Sequence, residues 1–165
     1  MKAGRSTSRT LIIRGLALLV VSGCTVTISA QTLSVTRVND MNFGSMFPGV
    51  PKEIDKASAD AIEFQITGTA GAEITLDFTL PEYMSAGLYN MQVLFYQTAC
   101  AIDTNATPDQ ANPPFDDLNP WQTLTYRLGS TGMTVWLGCK AIPRLKQQSG
   151  GYTGDVVLTV DYTGN

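Results

Sequence analysis

A strict alternation of apolar and polar residues limits the fold of this chain more than any other feature. Between residues 73 and 80 every second residue is apolar: Ile74, Leu76, Phe78 and Leu80. In an extended chain these side chains all lie on one face. Such a strand must cover its apolar face with another layer and pair its backbone groups with neighbouring strands. The segment therefore predicts a sheet packed against a second layer.

The same pattern recurs along the chain and is interrupted by clusters of Gly, Pro, Asn and Ser. It predicts seven strands, at residues 33–38, 61–68, 73–80, 90–98, 122–128, 133–142 and 156–162. The Gly-containing turn at 69–72 predicts a β-hairpin between the second and third strands. Both faces of 90–98 are apolar, which places this strand inside a sheet. Residues 101–120, rich in Asn, Asp and Pro, are predicted to form a long irregular loop.

Seven closely spaced strands without an amphipathic helix predict an all-β fold. We expect an immunoglobulin-like antiparallel β-sandwich, and a β-barrel is the alternative.

The first thirty residues have the character of an export signal. Four basic residues precede an apolar run at 16–21, no acidic residue comes before Asp40, and Ile28-Ser29-Ala30 resembles a cleavage site before Gln31. The apolar run is shorter than the about 20 residues that a transmembrane helix needs. We expect residues 1–30 to be a signal peptide and residues 31–165 to be one domain. We therefore expect the mature protein in the periplasm, at the cell surface or outside the cell.

A second processing route stays open at Cys24. The four residues Val-Ser-Gly-Cys at 21–24 resemble the motif at which bacterial lipoproteins are cleaved and acylated on the cysteine. Mass spectrometry of the mature N-terminus distinguishes the two routes, because a free or cyclised Gln31 excludes a lipid anchor at Cys24.

Export changes the charge balance of the chain. Removal of residues 1–30 leaves 7 of the 11 Lys and Arg residues against 14 Asp and Glu, a net charge of −7, and the chain has no histidine. Such a surface repels phosphate groups and anionic lipids. We therefore expect neither nucleic acid nor a membrane surface as a partner.

Cys100 and Cys139 remain as a pair after residue 30. In an oxidising compartment such a pair predicts a disulfide. Closing a loop of about 40 residues would stabilise the fold by about 4 kcal/mol in the chain-entropy model. Two buried free thiols are the alternative.

The absence of histidine excludes Ser-His-Asp and Cys-His catalysis and His-ligated zinc or copper. The dense group of acidic residues Asp103, Asp109, Asp116 and Asp117 is typical of a solvated loop. Calcium is the alternative there, but the segment lacks the Gly and Glu of an EF-hand. We assign no catalytic residue, metal ligand or cofactor.

Trp121 and Trp136 are candidate ligand contacts, since exposed indole rings can form a platform for sugars. Trp136 alternates with Val135 and Leu137, so we expect it to be at least partly exposed if those two residues face the core. Packing within the sheets is the alternative for both.

Three motifs follow one another in the order of a known group of secreted bacterial proteins. They are Asn42-Phe43-Gly44 with Pro48-Gly49, then Phe64 to Thr69 with Gly71-Ala72, and finally Gly151-Tyr152-Thr153-Gly154 with Tyr162. The order resembles a family similar to spore coat protein U and, more distantly, to pilin subunits of chaperone–usher systems. Residues 85–145 are not matched, and neither the cysteine pair nor the acidic loop belongs to the pattern.

The resemblance implies a surface subunit that donates a strand to a neighbour. An extended segment from one copy can complete the sheet and the core of another. Two segments have the required character. The first, with Leu33, Val35 and Val38, is the expected donor, and the last, with Val156, Leu158, Val160 and Tyr162, is expected to border the groove that receives a strand. Pairing of both segments within one complete sandwich is the alternative.

We therefore expect a non-enzymatic, exported cell-surface or fimbrial subunit. Its expected partners are other copies, other surface subunits and a periplasmic chaperone. The alternative is a monomeric surface domain that binds carbohydrate or another ligand through residues 101–120 and Trp136.

Overall fold

The structure, a computed structural model, describes residues 31–164 and contains twelve β-strands. Every strand pairing is antiparallel. The strands are Ser34–Asn39 (β1), Lys52–Ile54 (β2), Ile62–Thr67 (β3), Glu73–Thr79 (β4), Tyr83–Ala86 (β5), Tyr89–Leu94 (β6), Cys100–Asp103 (β7), Phe115–Leu118 (β8), Leu124–Arg127 (β9), Met133–Leu137 (β10), Cys139–Ile142 (β11) and Val157–Tyr162 (β12). Within residues 31–164 no helix has the length and apolarity that a membrane crossing needs. The predicted signal peptide and Cys24 lie outside the described residues.

The strands form three open sheets. The first has the order β1-β3-β10-β7-β8, the second β2-β11-β6-β5 and the third β12-β4-β9. Two backbone hydrogen bonds link the second sheet to the segment that precedes β12. Ser85 N–H donates to Thr153 O (2.7 Å), and Thr153 N–H donates to Ser85 O (3.0 Å). The prediction of an all-β antiparallel sandwich is confirmed, but the structure has twelve strands where the sequence predicted seven. β6 has a strand on each side, as predicted for 90–98.

One apolar core is shared by all three sheets. On β3 the alternate residues Ile62, Phe64 and Ile66 are buried, and on β4 Ile74 and Leu76 are fully buried. Each such side chain stabilises the folded state by about 1.5–3 kcal/mol. The alternation in the sequence therefore marks the core-facing residues of both strands correctly.

The predicted hairpin between β3 and β4 is wrong. β3 pairs with β1 and β10 in the first sheet, whereas β4 pairs with β12 and β9 in the third. The rings of Phe64 and Phe78 have their centroids 6.5 Å apart, so the apolar faces of the two strands pack against each other across the core. A hairpin would place these faces side by side in one layer. Burying both faces favours the crossing from one sheet to the other.

The segment predicted as one strand at 133–142 bends at Gly138 and changes sheets. β10 lies in the first sheet and β11 in the second. A Cβ atom on Gly138 would lie 2.7 Å from both the carbonyl oxygen of Ile54 and the backbone nitrogen of Lys56. Only a glycine lets the chain pass this close to the neighbouring backbone.

The predicted long loop is only partly irregular. Residues 100–103 form β7 and residues 115–118 form β8, which pairs with β7 at the edge of the first sheet. The segment 104–114 between them is held at two points. The buried carboxylate of Asp103 accepts the N–H groups of Asn105 (2.7 Å) and Asp109 (2.9 Å), and the side-chain amide of Gln110 donates to Lys56 O (2.7 Å) and Ser58 O (2.8 Å). Asp103 therefore fixes the backbone of this segment and is not presented to solvent as a calcium ligand.

Candidate functional site

β1 is the most exposed strand of the first sheet and lies at its edge. Five of its six residues are exposed. Its only strand partner among residues 31–164 is β3, in a register that sets Ser34 opposite Thr67 and Val35 opposite Ile66. The predicted donor residues are placed accordingly: Val35 and Val38 are 39% and 56% exposed, and Leu33 is partly buried against the core. β1 therefore offers one complete backbone edge to a further strand.

The predicted closing strand also pairs within the chain. β12 runs beside β4 at the edge of the third sheet. Val156, Leu158, Val160 and Tyr162 are partly buried against the core, as the alternation predicts. The hydroxyl of Tyr162 accepts the N–H of Thr69 (2.8 Å) and donates to Gln31 O (2.9 Å). This hydroxyl joins the start of β1, the β3–β4 connection and the end of β12.

The sandwich is open beside β1. A cleft of about 320 Å³ lies between the first sheet, which contributes Arg37, Ile62 and Phe64, and the segment 153–156 before β12. Its floor includes two buried residues: Val93, on β6 of the second sheet, and Phe95, which follows β6. The two layers therefore do not meet along this side, and core side chains line an opening to solvent.

A second cleft, of about 520 Å³, continues the first. The two share Met41, Phe43, Met84 and Tyr152 as lining residues. The segments 41–46 and 147–152 form its walls, and Met46 and Met91 add two further thioethers. We call the two openings together the side cleft. Its surface is mixed polar and apolar and includes four methionines, whose side chains adapt readily to different occupants.

The charges at the side cleft are few. Arg37 and Asp40 form an exposed ion pair at the rim (Nε to Oδ1, 3.1 Å). Between residues 31 and 164 no three His, Cys, Asp or Glu side chains lie close enough together to hold a metal ion. The charged residues that line the cleft are Arg37, Asp40 and Asp155, and the other lining residues are apolar or neutral.

The predicted disulfide is not formed: Cys100 and Cys139 are both free, buried thiols. The register sets Cys100 opposite Leu137, so Cys139 is displaced by two residues along the strand and lies beyond the bend at Gly138. Such diagonal positions are typically 7–8 Å apart, and a disulfide cannot join two Cα atoms more than about 7 Å apart. Burial raises the pKa of each thiol to about 12. Both are therefore protonated near neutral pH.

The expected exposure of Trp136 is wrong. Its side chain is 3% exposed, on the outer face of β10, and Ala101, Asp103 and Thr134 on the same face are also buried. Trp136 Nε1 has no hydrogen-bond partner among residues 31–164. A residue so placed cannot contact a ligand.

Trp121 is half exposed, as a ligand contact requires. Its indole N–H nevertheless donates to Phe95 O (2.9 Å), and its ring packs edge-on against Phe95 with centroids 6.4 Å apart. The ring is thus fixed beside the core and is not joined by Trp136 into a platform.

The sequence reasoning missed the side cleft. The sequence feature that could have indicated the cleft is its methionine content. Of the five methionines in residues 31–164, four line the side cleft, and Met133 does not. The chain matches no family model and no curated protein.

Proposed function

We propose that the protein is an exported, non-enzymatic structural subunit of the bacterial cell surface that assembles by exchanging β1 between copies. The observation that carries the proposal is the exposed edge strand β1 lying beside an open cleft. The expected signal peptide, the absence of histidine and the resemblance to spore coat protein U and pilin subunits support it.

The energetics favour exchange of β1 over exchange of any central strand. Most of its side chains are exposed, so detaching it uncovers little apolar surface. Its backbone hydrogen bonds to β3 are lost in one copy and regained in the next, because an identical strand takes the same register. Exchange of an identical element between protomers is a low-cost route to assembly.

The side cleft gives the incoming strand side-chain contacts. Val35 and Arg37 are register partners of Ile66 and Phe64, so their side chains lie on the core-facing side of the first sheet. Arg37 and Phe64 also line the cleft. A strand in this position binds through its backbone to β3 and through alternate side chains to the cleft.

The carbohydrate-binding alternative has less support. It required Trp136 and the segment 101–120 to face solvent together, and Trp136 is buried. Segment 104–114 is tied down by Asp103 and Gln110.

A cysteine pair across β1 and β3 tests the exchange. Ser34 and Thr67 are both exposed and lie directly opposite each other. Opposed residues of an antiparallel pair are close enough for a disulfide. In the S34C/T67C variant, exported to a bacterial periplasm, strand exchange links successive copies, and non-reducing electrophoresis shows a ladder of covalent multimers.

The single variant S34C is the matched control and can give dimers at most. The native thiols add little background, since burial holds the pKa of each at about 12. Quantitative formation of an internally cross-linked monomer, in a sample concentrated as far as the wild type allows, would contradict the proposal.

A further inference from the structure

Three loops meet at one end of the second sheet. Strand β11 pairs there with β2 and β6, and the register sets Ala141 opposite Lys52 and Ile142 opposite Gln92. The end of β11 therefore lies beside the starts of both neighbouring strands. We call the loops at this end the sheet tip, which consists of residues 47–51, 86–90 and 143–148.

Hydrogen bonds hold the three loops together. Gly49 N–H donates to Arg144 O (3.0 Å), which joins the first loop to the third. The side-chain amide of Gln147 donates to Asn90 O (3.1 Å), which joins the third loop to the second. The sheet tip is therefore one surface and not three independent loops.

The sheet tip carries the most exposed large apolar side chains of residues 31–164. Leu88 is 96% exposed, Leu145 86% and Phe47 77%, and Val50 follows. Every other large apolar side chain in this part of the chain is less exposed than these four. Single exposed apolar residues are normal on a protein surface, but a group of them marks a site of interaction.

The sheet tip is also basic, although the chain as a whole is acidic. Arg144 and Lys146 are exposed on either side of Leu145, and the three loops contain no Asp or Glu. Neither cation forms an ion pair with any residue between 31 and 164. Four other cations of the same part of the chain do pair with carboxylates: Arg37, Lys56, Arg127 and Lys140.

A bilayer with anionic headgroups matches this combination. Apolar side chains enter the interfacial region, a tyrosine ring such as the half-exposed Tyr89 is favoured at headgroup level, and cations bind lipid phosphates. We propose that the sheet tip docks on a bilayer that contains anionic phospholipid. The negative charge of the whole chain, from which no membrane partner was expected, acts weakly here, because physiological salt screens charges more than about 8 Å away.

A second copy of the chain is the competing occupant. A symmetric contact between two sheet tips would place Arg144 and Lys146 of one copy against the same residues of the other, and these like charges repel. The sheet tip contains no residue of β1, so lipid binding does not depend on the proposed exchange of that strand.

Cosedimentation with vesicles measures the docking. Residues 31–165 are used, because they contain the whole described fold and lack the apolar run at 16–21, which could itself bind lipid. We expect binding to vesicles of equal parts phosphatidylglycerol and phosphatidylcholine, and much weaker binding to phosphatidylcholine alone. Each cation near an anionic surface strengthens binding about fivefold, so R144Q/K146Q should weaken it about 25-fold. L88S and L145S should each weaken it at least about tenfold, because an apolar side chain no longer leaves water.

The chain supplies a matched control for each kind of side chain. R127Q removes an exposed cation outside the sheet tip, and V157S removes an exposed apolar side chain on β12. Both variants should bind the anionic vesicles like the wild type. All these substitutions change exposed side chains, so the fold should persist.

A fluorophore reports the orientation directly. An environment-sensitive dye is attached to L88C or to V157C; the native thiols react little, because burial raises the pKa of each to about 12. Anionic vesicles should shift the emission of the dye to the blue at residue 88 and leave it unchanged at residue 157. Absence of binding to the anionic vesicles, equal affinities of R144Q and R127Q, or a blue shift at residue 88 that follows protein concentration without lipid, as in a contact between copies, would overturn the proposal.

Discussion

Gly138→Ala tests whether the bend between the first and second sheets requires a residue without a side chain. The added Cβ would lie 2.7 Å from Ile54 O and 2.7 Å from Lys56 N. Both atoms belong to the backbone, so no rotamer change can relieve the contact. Gly138 is buried, and its N–H donates to Ala99 O (2.9 Å), so the strand cannot move away without losing that hydrogen bond.

The expected cost follows from the forced displacement. Inserting one methyl group into packed structure typically costs about 1–3 kcal/mol. With a urea dependence of about 2 kcal/mol per molar, the unfolding midpoint of Gly138→Ala should fall by about 0.5–1.5 M. Equilibrium urea unfolding, followed by tryptophan fluorescence, measures this shift.

Gly151→Ala is the matched control. A Cβ on Gly151 meets no atom within 4 Å, and this exposed residue has no positive φ. Its free energy of unfolding should stay within about 0.5 kcal/mol of the wild type or rise slightly, because alanine restricts the unfolded chain. Equal midpoints for Gly138→Ala and Gly151→Ala would refute the requirement for glycine at the bend.

Four further predictions concern polar and titratable side chains. Tyr162→Phe removes the hydrogen bonds to Thr69 N–H and Gln31 O and should lower the free energy of unfolding by about 1–3 kcal/mol. Because Gln31 lies just before β1, the backbone amides of β1 should exchange their hydrogens faster in this variant. Unchanged amide protection in β1 would contradict the prediction. Asp103→Asn removes the negative charge that accepts the N–H groups of Asn105 and Asp109, and it should speed proteolysis within residues 104–114. Equal cleavage rates in the variant and the wild type would show that Asp103 does not hold this segment. Cys100 and Cys139 should resist a thiol reagent at pH 8 in the native protein and both react in denaturant, whereas no reaction in denaturant would indicate a disulfide. Burial raises both thiol pKa values from 9.0 to about 12, so the thiols of the unfolded chain ionise at lower pH than those of the folded protein. The free energy of unfolding should therefore fall as the pH rises from 9.0 to about 12, by about 1.4 kcal/mol per pH unit for each thiol. A free energy of unfolding that stays constant over this pH range would contradict the prediction.

Strand positions could be predicted from the sequence because alternation is local. The predicted segments 61–68, 73–80 and 156–162 correspond to β3, β4 and β12 within one residue at each end. Their partners could not be predicted in this way. The turn after β3 is short enough for a hairpin, and the sequence does not show that the faces carrying Phe64 and Phe78 pack against each other across the core.

The burial of a side chain could be predicted from the sequence only where the layer that covers it could also be predicted. The sequence places Trp136 on the face opposite Val135, and the structure agrees. Its exposure was predicted wrongly because that outer face is itself buried, as the neighbouring residues Ala101 and Thr134 show. The prediction of a disulfide was wrong for a similar reason. Two cysteines in the sequence do not show the register of the strands that carry them, and so do not show whether the cysteines lie opposite each other. The side cleft was the most difficult feature to predict. Alternation shows which face of a strand is apolar, but it does not show where two sheets leave a gap between them.

The sulfur lining also makes the side cleft the part of the molecule most open to chemical damage. The proposed export would bring the protein into contact with oxidants, and oxidation turns a thioether into a polar, chiral sulfoxide. Met41, Met46 and Met84 are partly accessible, whereas Met133 is enclosed in the core. Peroxide should therefore modify the cleft methionines first and make this opening polar while the sandwich around it stays folded.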